Sequence, residues 1–226
     1  MAWDFGAQIN AFTGFDGNET TTASEEGENF DVLATRWLTD AAKEIINILP
    51  PLLKEKCTTE TTLNNSATTM DMDGVGEVLY VNRLSADSGG SRIPCRNVLS
   101  MYGELSNDSN SLYKASVTDP VYWILSSGDA AILNVIPTPT ANQTAIVYHI
   151  GYPTVDHADT AIANFPDEAE HLVPLRAAIN AVQYKLNFEE DPELYIPMLS
   201  SLKAQYQEAV QGLLSGNITP PQQGDK

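Results

Sequence analysis

Three stretches of this chain place apolar residues three and four positions apart, and the region between the first and second shortens that rhythm to runs and alternations. The fullest helical stretch is 164–187, NFPDEAEHLVPLRAAINAVQYKLN, in which Leu172, Leu175, Ile179, Val182 and Leu186 form one stripe. Asn164 is the expected N-cap, Pro166 falls in the first turn, and Asp167, Glu168 and Glu170 put negative charge at the positive end of the helix dipole. Pro174 interrupts the hydrogen-bond ladder, so the spacing predicts either a kink or a short turn followed by a restarted helix. An earlier helix is predicted from Asn29 as N-cap through Phe30, Leu33, Trp37, Ala41, Ile45, Ile48 and Leu49, ending at Pro50 and Pro51. A last one carries Leu199, Leu202, Tyr206, Val210 and Leu213, with Asp191 as cap, Pro192 in the first turn and Gly216 as stop.

Between the first helix and the last two lie five β-like runs: 77–82 (EVLYVN), 96–102 (RNVLSMY), 121–125 (VYWIL), 131–136 (AILNVI) and 144–152 (TAIVYHIGY). They favour β-branched and aromatic residues and are bounded mostly by turn formers. Ser126, Ser127, Gly128 and Asp129 read as a hairpin turn, and Pro137 to Thr140 closes the next run. Residues 57–69 read as a connection or an edge strand.

Three stripes cannot be buried separately, so the expected fold is α+β: an antiparallel bundle of about three long helices with an inserted antiparallel β barrel or sandwich. Trp37 is expected to pack against Leu175, Ile179 and Val182. The predicted divisions are a flexible arm over 1–28, a bundle from 29–58 and 156–216, a β insertion over 59–155, and a flexible tail over 217–226. The arm is polar with isolated Trp3, Phe5, Phe12 and Phe15, and the tail, NITPPQQGDK, has no apolar stripe.

Charge narrows the partners. Asp and Glu number 30 against 12 Lys and Arg, a net charge of −18 without a basic cluster. Reading DNA needs clustered cations, so sequence-specific nucleic-acid binding is not expected, whereas a polyanion could slide past such a surface. The longest apolar segment, 45–53, is far short of the ~20 residues of a membrane span, and the N-terminal residues do not read as a signal peptide. Cys57 and Cys95 fit two reduced thiols.

No motif in the chain carries recognisable chemistry, so no catalytic residue, metal ligand or cofactor is assigned. In DMDGVGE, Asp71, Asp73 and Gly76 match calcium-loop positions, but Val75 and Asn82 stand where two ligands belong, and Gly74 and Gly76 precede no helix with a Lys. His149, His157 and His171 form no zinc spacing, and Ser126–Ser127–Gly128 is not a nucleophile elbow. Nothing selects a catalytic pair among the carboxylates.

The order of pieces is itself informative. A leading helix with a Trp, β runs ending in YHIGYPTV, then NFPDEAEHLVPLRAAINAVQYKL and EEDPELYIPMLSSLKAQYQEAV resemble the head-to-tail connectors, or adaptors, of tailed-bacteriophage necks. The resemblance spans 30–215 and is strongest from 148 to 206, and the β insertion is larger than in the shorter adaptors. It implies a non-enzymatic virion protein, assembled in the host cytoplasm into a closed ring, commonly of about twelve copies. The ring would sit between portal and tail, nozzle or terminator proteins, with genomic DNA passing through unread during ejection. Terminal extensions of such rings often grip the portal, which makes Asn217, Ile218, Thr219, Pro220 and Pro221 the candidate partner-binding residues. A tail or baseplate attachment protein and a carbohydrate-binding or hydrolytic β-domain protein are the alternative readings.

Overall fold

The computed structural model describes residues 3–15, 29–85, 90–127, 130–187, 193 and 195–216. The chain divides into two compact units, a helical one from Met1–Cys57 with Tyr152–Lys226 and a β one from Thr58–Gly151.

The helical unit is organised around α6 (Leu172–Leu186), which packs against α1 (Phe5–Thr13), α2 (Phe30–Ile48) and α7 (Tyr195–Gly216). Because α6 has neighbours on several sides, burial extends beyond the stripe to Val173, Pro174, Ala177, Ala178 and Ala181, and the small alanines let the other helices come close. Pro174 is the third residue of α6, where its missing N–H leaves no intrahelical bond unmade. The helix is preceded by α5 (Asp167–Glu170), so the chain resolves the proline by restarting rather than kinking. Asn164 is not the cap: its φ of 53° places it in the left-handed region, and Pro166 holds the cap position without a side-chain hydrogen bond. Asp167, Glu168 and Glu170 lie in the first turn of α5, and Glu170 Oε1 also accepts from the Ile162 N–H of the preceding loop at 2.6 Å, a bond the sequence did not announce.

α2 begins where the pattern places it, the Asn29 side chain accepting from the Asp31 N–H, and gives way before Pro50 to the short α3 (Pro51–Lys54). Its buried face is wider than the expected stripe and includes Ala34, Leu38, Ala42 and Ile46. Trp37 sits at the margin, half-buried, with its ring 5.5 Å from Tyr184 and 6.2 Å from Phe30. The fully buried position is the next residue, Leu38, because α2 meets both α6 and α1.

Within the arm over 1–28 that was expected to be irregular, 16–28 lie outside the described residues, while residues 5–13 form α1. Asp4 caps it by accepting from the Ala7 N–H, Gly14 closes it with φ 69°, and Phe5 and Ile9 are buried one turn apart. Its first N–H groups are used as well: Phe5 and Gly6 donate to the carbonyls of Asp159 and His157 at 2.9 and 2.8 Å. Val155 and His157 are in turn held by the hydroxyls of Thr39 and Thr35 on α2. The cap and stop were present in the sequence, but the helix is too short to show a long stripe.

The β unit contains two open four-stranded sheets. The first runs β1 (Thr58–Leu63), β8 (Ala145–Gly151), β3 (Val75–Leu84), β4 (Arg92–Pro94). The second runs β2 (Thr69–Asp71), β7 (Ala130–Ile136), β6 (Val121–Ser127), β5 (Arg96–Asn97). One apolar cluster draws on both, including Leu63, Val81, Val147, Met70, Tyr122 and Leu133.

The fold therefore departs from a bundle of about three helices with an inserted antiparallel barrel or sandwich. α1 is a further packed helix, neither sheet closes, and β5 pairs with β6 in parallel. Strand partners also skip along the chain, β8 lying between β1 and β3. Runs of β-formers announce strands but not their neighbours, because pairing depends on hydrogen bonds between distant segments. The run 96–102 yields only two residues of strand before α4 (Ser100–Asn107) begins, so tertiary packing overrides β propensity there.

Candidate functional site

The face of the second sheet turned away from the main apolar cluster carries a smaller one, Ala115, Val121 and Trp123, with polar side chains beside it. Register places Trp123 of β6 opposite Asn134 of β7, and Asn134 opposite Thr69 of β2, so the three side chains form one row across three strands. The next row on that face pairs Val121 with Ile136, and the row on the other side pairs Leu125 with Ile132. α4 lies over this face at Trp123. Gly103 makes the approach possible, since a Cβ there would stand inside the indole.

Beside that contact is a pocket of about 270 Å³, lined by Trp123, Asn134 and Thr69 from the sheet and by Glu104 and Asn107 from α4. The opposite side of α4 is apolar and open. Leu99 and Met101 are each 67% exposed and Leu105 43%, while Leu112 on the following loop is 103% exposed beside Tyr113 at 54%.

Internal bonds hold that loop in shape. The Ala115 N–H donates to Ser106 O and the Asn110 N–H to Asp108 Oδ1, both at 2.9 Å, and the rings of Tyr102 and Tyr113 lie 4.9 Å apart. Arg96 clamps the loop end with two bonds to the Asp119 carboxylate, 2.8 and 2.7 Å long, and these hold the Asp119 carboxyl below its ordinary pKa. Leu112 is thus presented outward on a bonded scaffold.

The residues weighed for chemistry are spread apart. His149 is buried and used, its Nε2 3.0 Å from Thr61 Oγ1 and its Nδ1 3.2 Å from Ile150 O. His157 Nδ1 lies 3.0 Å from Asp156 Oδ1, and His171 marks the break between α5 and α6. Asp71 and Asp73 form a turn, the Asp73 N–H donating to Asp71 Oδ1, with Gly74 at φ 68° leading into β3. Among the described residues no group of three or more His, Cys, Asp or Glu could hold a metal ion. None of the described helices is long and apolar enough to cross a membrane.

Both cysteines are free and buried. Burial pushes the Cys57 thiol up to about 11 and Cys95 to about 12, the latter despite the opposing pull of Arg83. Such thiols are poor nucleophiles at neutral pH. Arg83 is itself 1% exposed and donates to Thr138 O, Leu84 O and Gln143 Oε1, all neutral acceptors, so burial lowers its pKa.

Asn217, Ile218, Thr219, Pro220 and Pro221 lie outside the described residues, as do Gly128 and Asp129 of the hairpin turn and the expected cap at Asp191 and Pro192. The α4 surface and the pocket were not singled out from sequence. The available signal was Gly103 following Met101 and Tyr102, a glycine in a run otherwise suited to a strand. No family model matches this sequence, and no characterised protein is detectably similar to it.

Proposed function

We propose that this chain is a non-enzymatic structural protein of a tailed-phage neck, a ring-forming adaptor between portal and tail. The exposed apolar set Leu99, Met101, Leu105, Leu112 and Tyr113, fixed on a hydrogen-bonded loop and helix, carries the reading. A chain of net charge −18 is kept apart from its copies by electrostatics, so association needs an apolar contact that outweighs repulsion. The same charge suits a channel through which DNA passes without being held. The order of helices and β runs along the chain supports the family resemblance, and Asn217 to Pro221 are assigned to the portal grip.

Native mass spectrometry of the full chain, alone and with portal protein, tests the reading. A closed oligomer is expected, and Met101→Glu with Leu112→Glu should return it to a monomer with unchanged circular dichroism. A wild-type chain that stays monomeric at all concentrations and does not join portal rings would overturn the proposal. Removal of residues 217–226 should leave the oligomer intact while lowering portal occupancy.

A further inference from the structure

We propose that the pocket between α4 and the second sheet is a binding site for one neutral sugar ring. Thr69, Asn134 and Trp123 reach it from a single row of three strands, and Glu104 and Asn107 reach it from α4. Solvated polar side chains are ordinary on a surface. Here they surround a concavity that also has an indole in its wall. Among the described residues, Thr68, Thr69, Glu104 and Asn107 form no hydrogen bond through their side chains, so hydroxyl, amide and carboxylate groups all remain available. Asn134 uses its amide N–H₂ on Ile132 O at 3.2 Å, which turns its carbonyl oxygen into the available acceptor.

The lining selects the chemistry. It contains no Lys, Arg or His, and with Glu104 present it offers nothing to an anion. What remains is a mixture of donors and acceptors around an apolar wall, which fits a ligand with hydroxyls on its rim and C–H groups on its face. The volume of about 270 Å³ equals roughly nine waters at ~30 Å³ each, room for one hexose ring but not for a chain of them. The residues differ from the apolar set on the other side of α4, so this site stands or falls independently of the ring.

The test is a titration of the ¹⁵N-labelled full chain with galactose, glucose, mannose and N-acetylglucosamine, each to roughly 50 mM, since a single-ring site binds in the millimolar range. At least one sugar should give saturable shifts confined to the amides of 68–69, 103–107, 123 and 134–138. Asn107→Ala and Glu104→Ala, both on the exposed side of α4, should each weaken binding about tenfold while the remaining resonances stay in place. The proposal is overturned by the absence of saturable shifts with all four sugars, by shifts elsewhere, or by unchanged affinity in both variants. Tetramethylammonium moving the same resonances when no sugar does would assign the pocket to a cation at Glu104 instead.

Discussion

α6 and β6 are both apolar segments, yet they are buried by different means. Nine of the fifteen residues of α6 are buried, against a broad apolar face of α2, against Phe5 and Ile9 of the short α1, and against α7 with its buried Leu202. β6 divides its side chains between two faces, Tyr122 entering the shared core and Trp123 lying under α4. Its burial depends on strands and a helix that have to be brought to it. In the first sheet the same dependence joins Thr61 to His149 across 88 residues. The helical unit is thus a sum of local patterns, whereas the β unit is specified by pairings and by single close contacts. The cost of one substitution should reflect that difference.

The largest expected effect lies at the centre of the helical unit. Ile179→Ala empties a position that is 1% exposed and should cost about 2–5 kcal/mol in urea denaturation, as deep aliphatic truncations do. A loss below 1 kcal/mol, on the order of a surface change, would mean that α6 is not the helix the unit is built on. Leu202 is the only buried residue among those described on α7, so α7 should tolerate truncation at Leu199 or Leu213 far better.

Gly103→Ala tests the β unit at its tightest glycine contact among the described residues. Adding one methyl group against the Trp123 indole should cost about 1–3 kcal/mol by thermal denaturation. Trp123→Leu in the Gly103→Ala background should recover part of that loss, whereas simple additivity would show that the two residues do not share the contact.

The thiols compare the units by pH. Their folded values of about 11 and 12 lie above the ordinary value of 9.0, so the folded state holds these protons longer than the unfolded one. Stability is therefore unaffected by them below pH 9.0 and falls as pH rises toward 11 and 12. Denaturation midpoints across that range should decline, and Ellman's reagent near neutral pH should label Cys57 and Cys95 only as fast as each unit opens. Rapid labelling of the native chain would contradict their burial.

The smallest effect belongs to the exposed Arg96–Asp119 pair, which should contribute within about 1 kcal/mol despite its two short bonds. The Asp119 carboxyl is lowered from 3.8, so its contribution is present above that pH and is lost as pH falls through the lower folded value. Asp119→Asn should flatten this acid slope while leaving the midpoint at pH 7 nearly unchanged.

Much of the helical unit was legible because its signals are local. Asn29 as a cap, Pro50 as a stop, the acidic turn at Asp167 and the restart near Pro174 all depend on neighbours within a turn or two. The same argument failed at Asn164, whose left-handed backbone is fixed by the surrounding loop. It also undervalued Asp4 and Gly14, because nine residues are too few for periodicity to stand out. The strands at 75–84, 121–127, 130–136 and 145–151 were visible as runs, but β4 was not, and RNVLSMY divided into a short strand and a helix. The α4 surface went unseen for that reason.

The sequence by itself determined where α2 begins and which runs became β3, β6, β7 and β8, that the chain carries a strong negative charge, and that no familiar catalytic or metal spacing is present. Those properties are set by residues close together in the chain or by simple totals. The tertiary structure decided which strands are neighbours, that both sheets remain open, that α1 joins the helical core, and that Gly103 brings Trp123, Glu104 and Asn107 around one pocket. Each of these depends on contacts between segments far apart in sequence, and the energy of such a contact is absent from either segment alone.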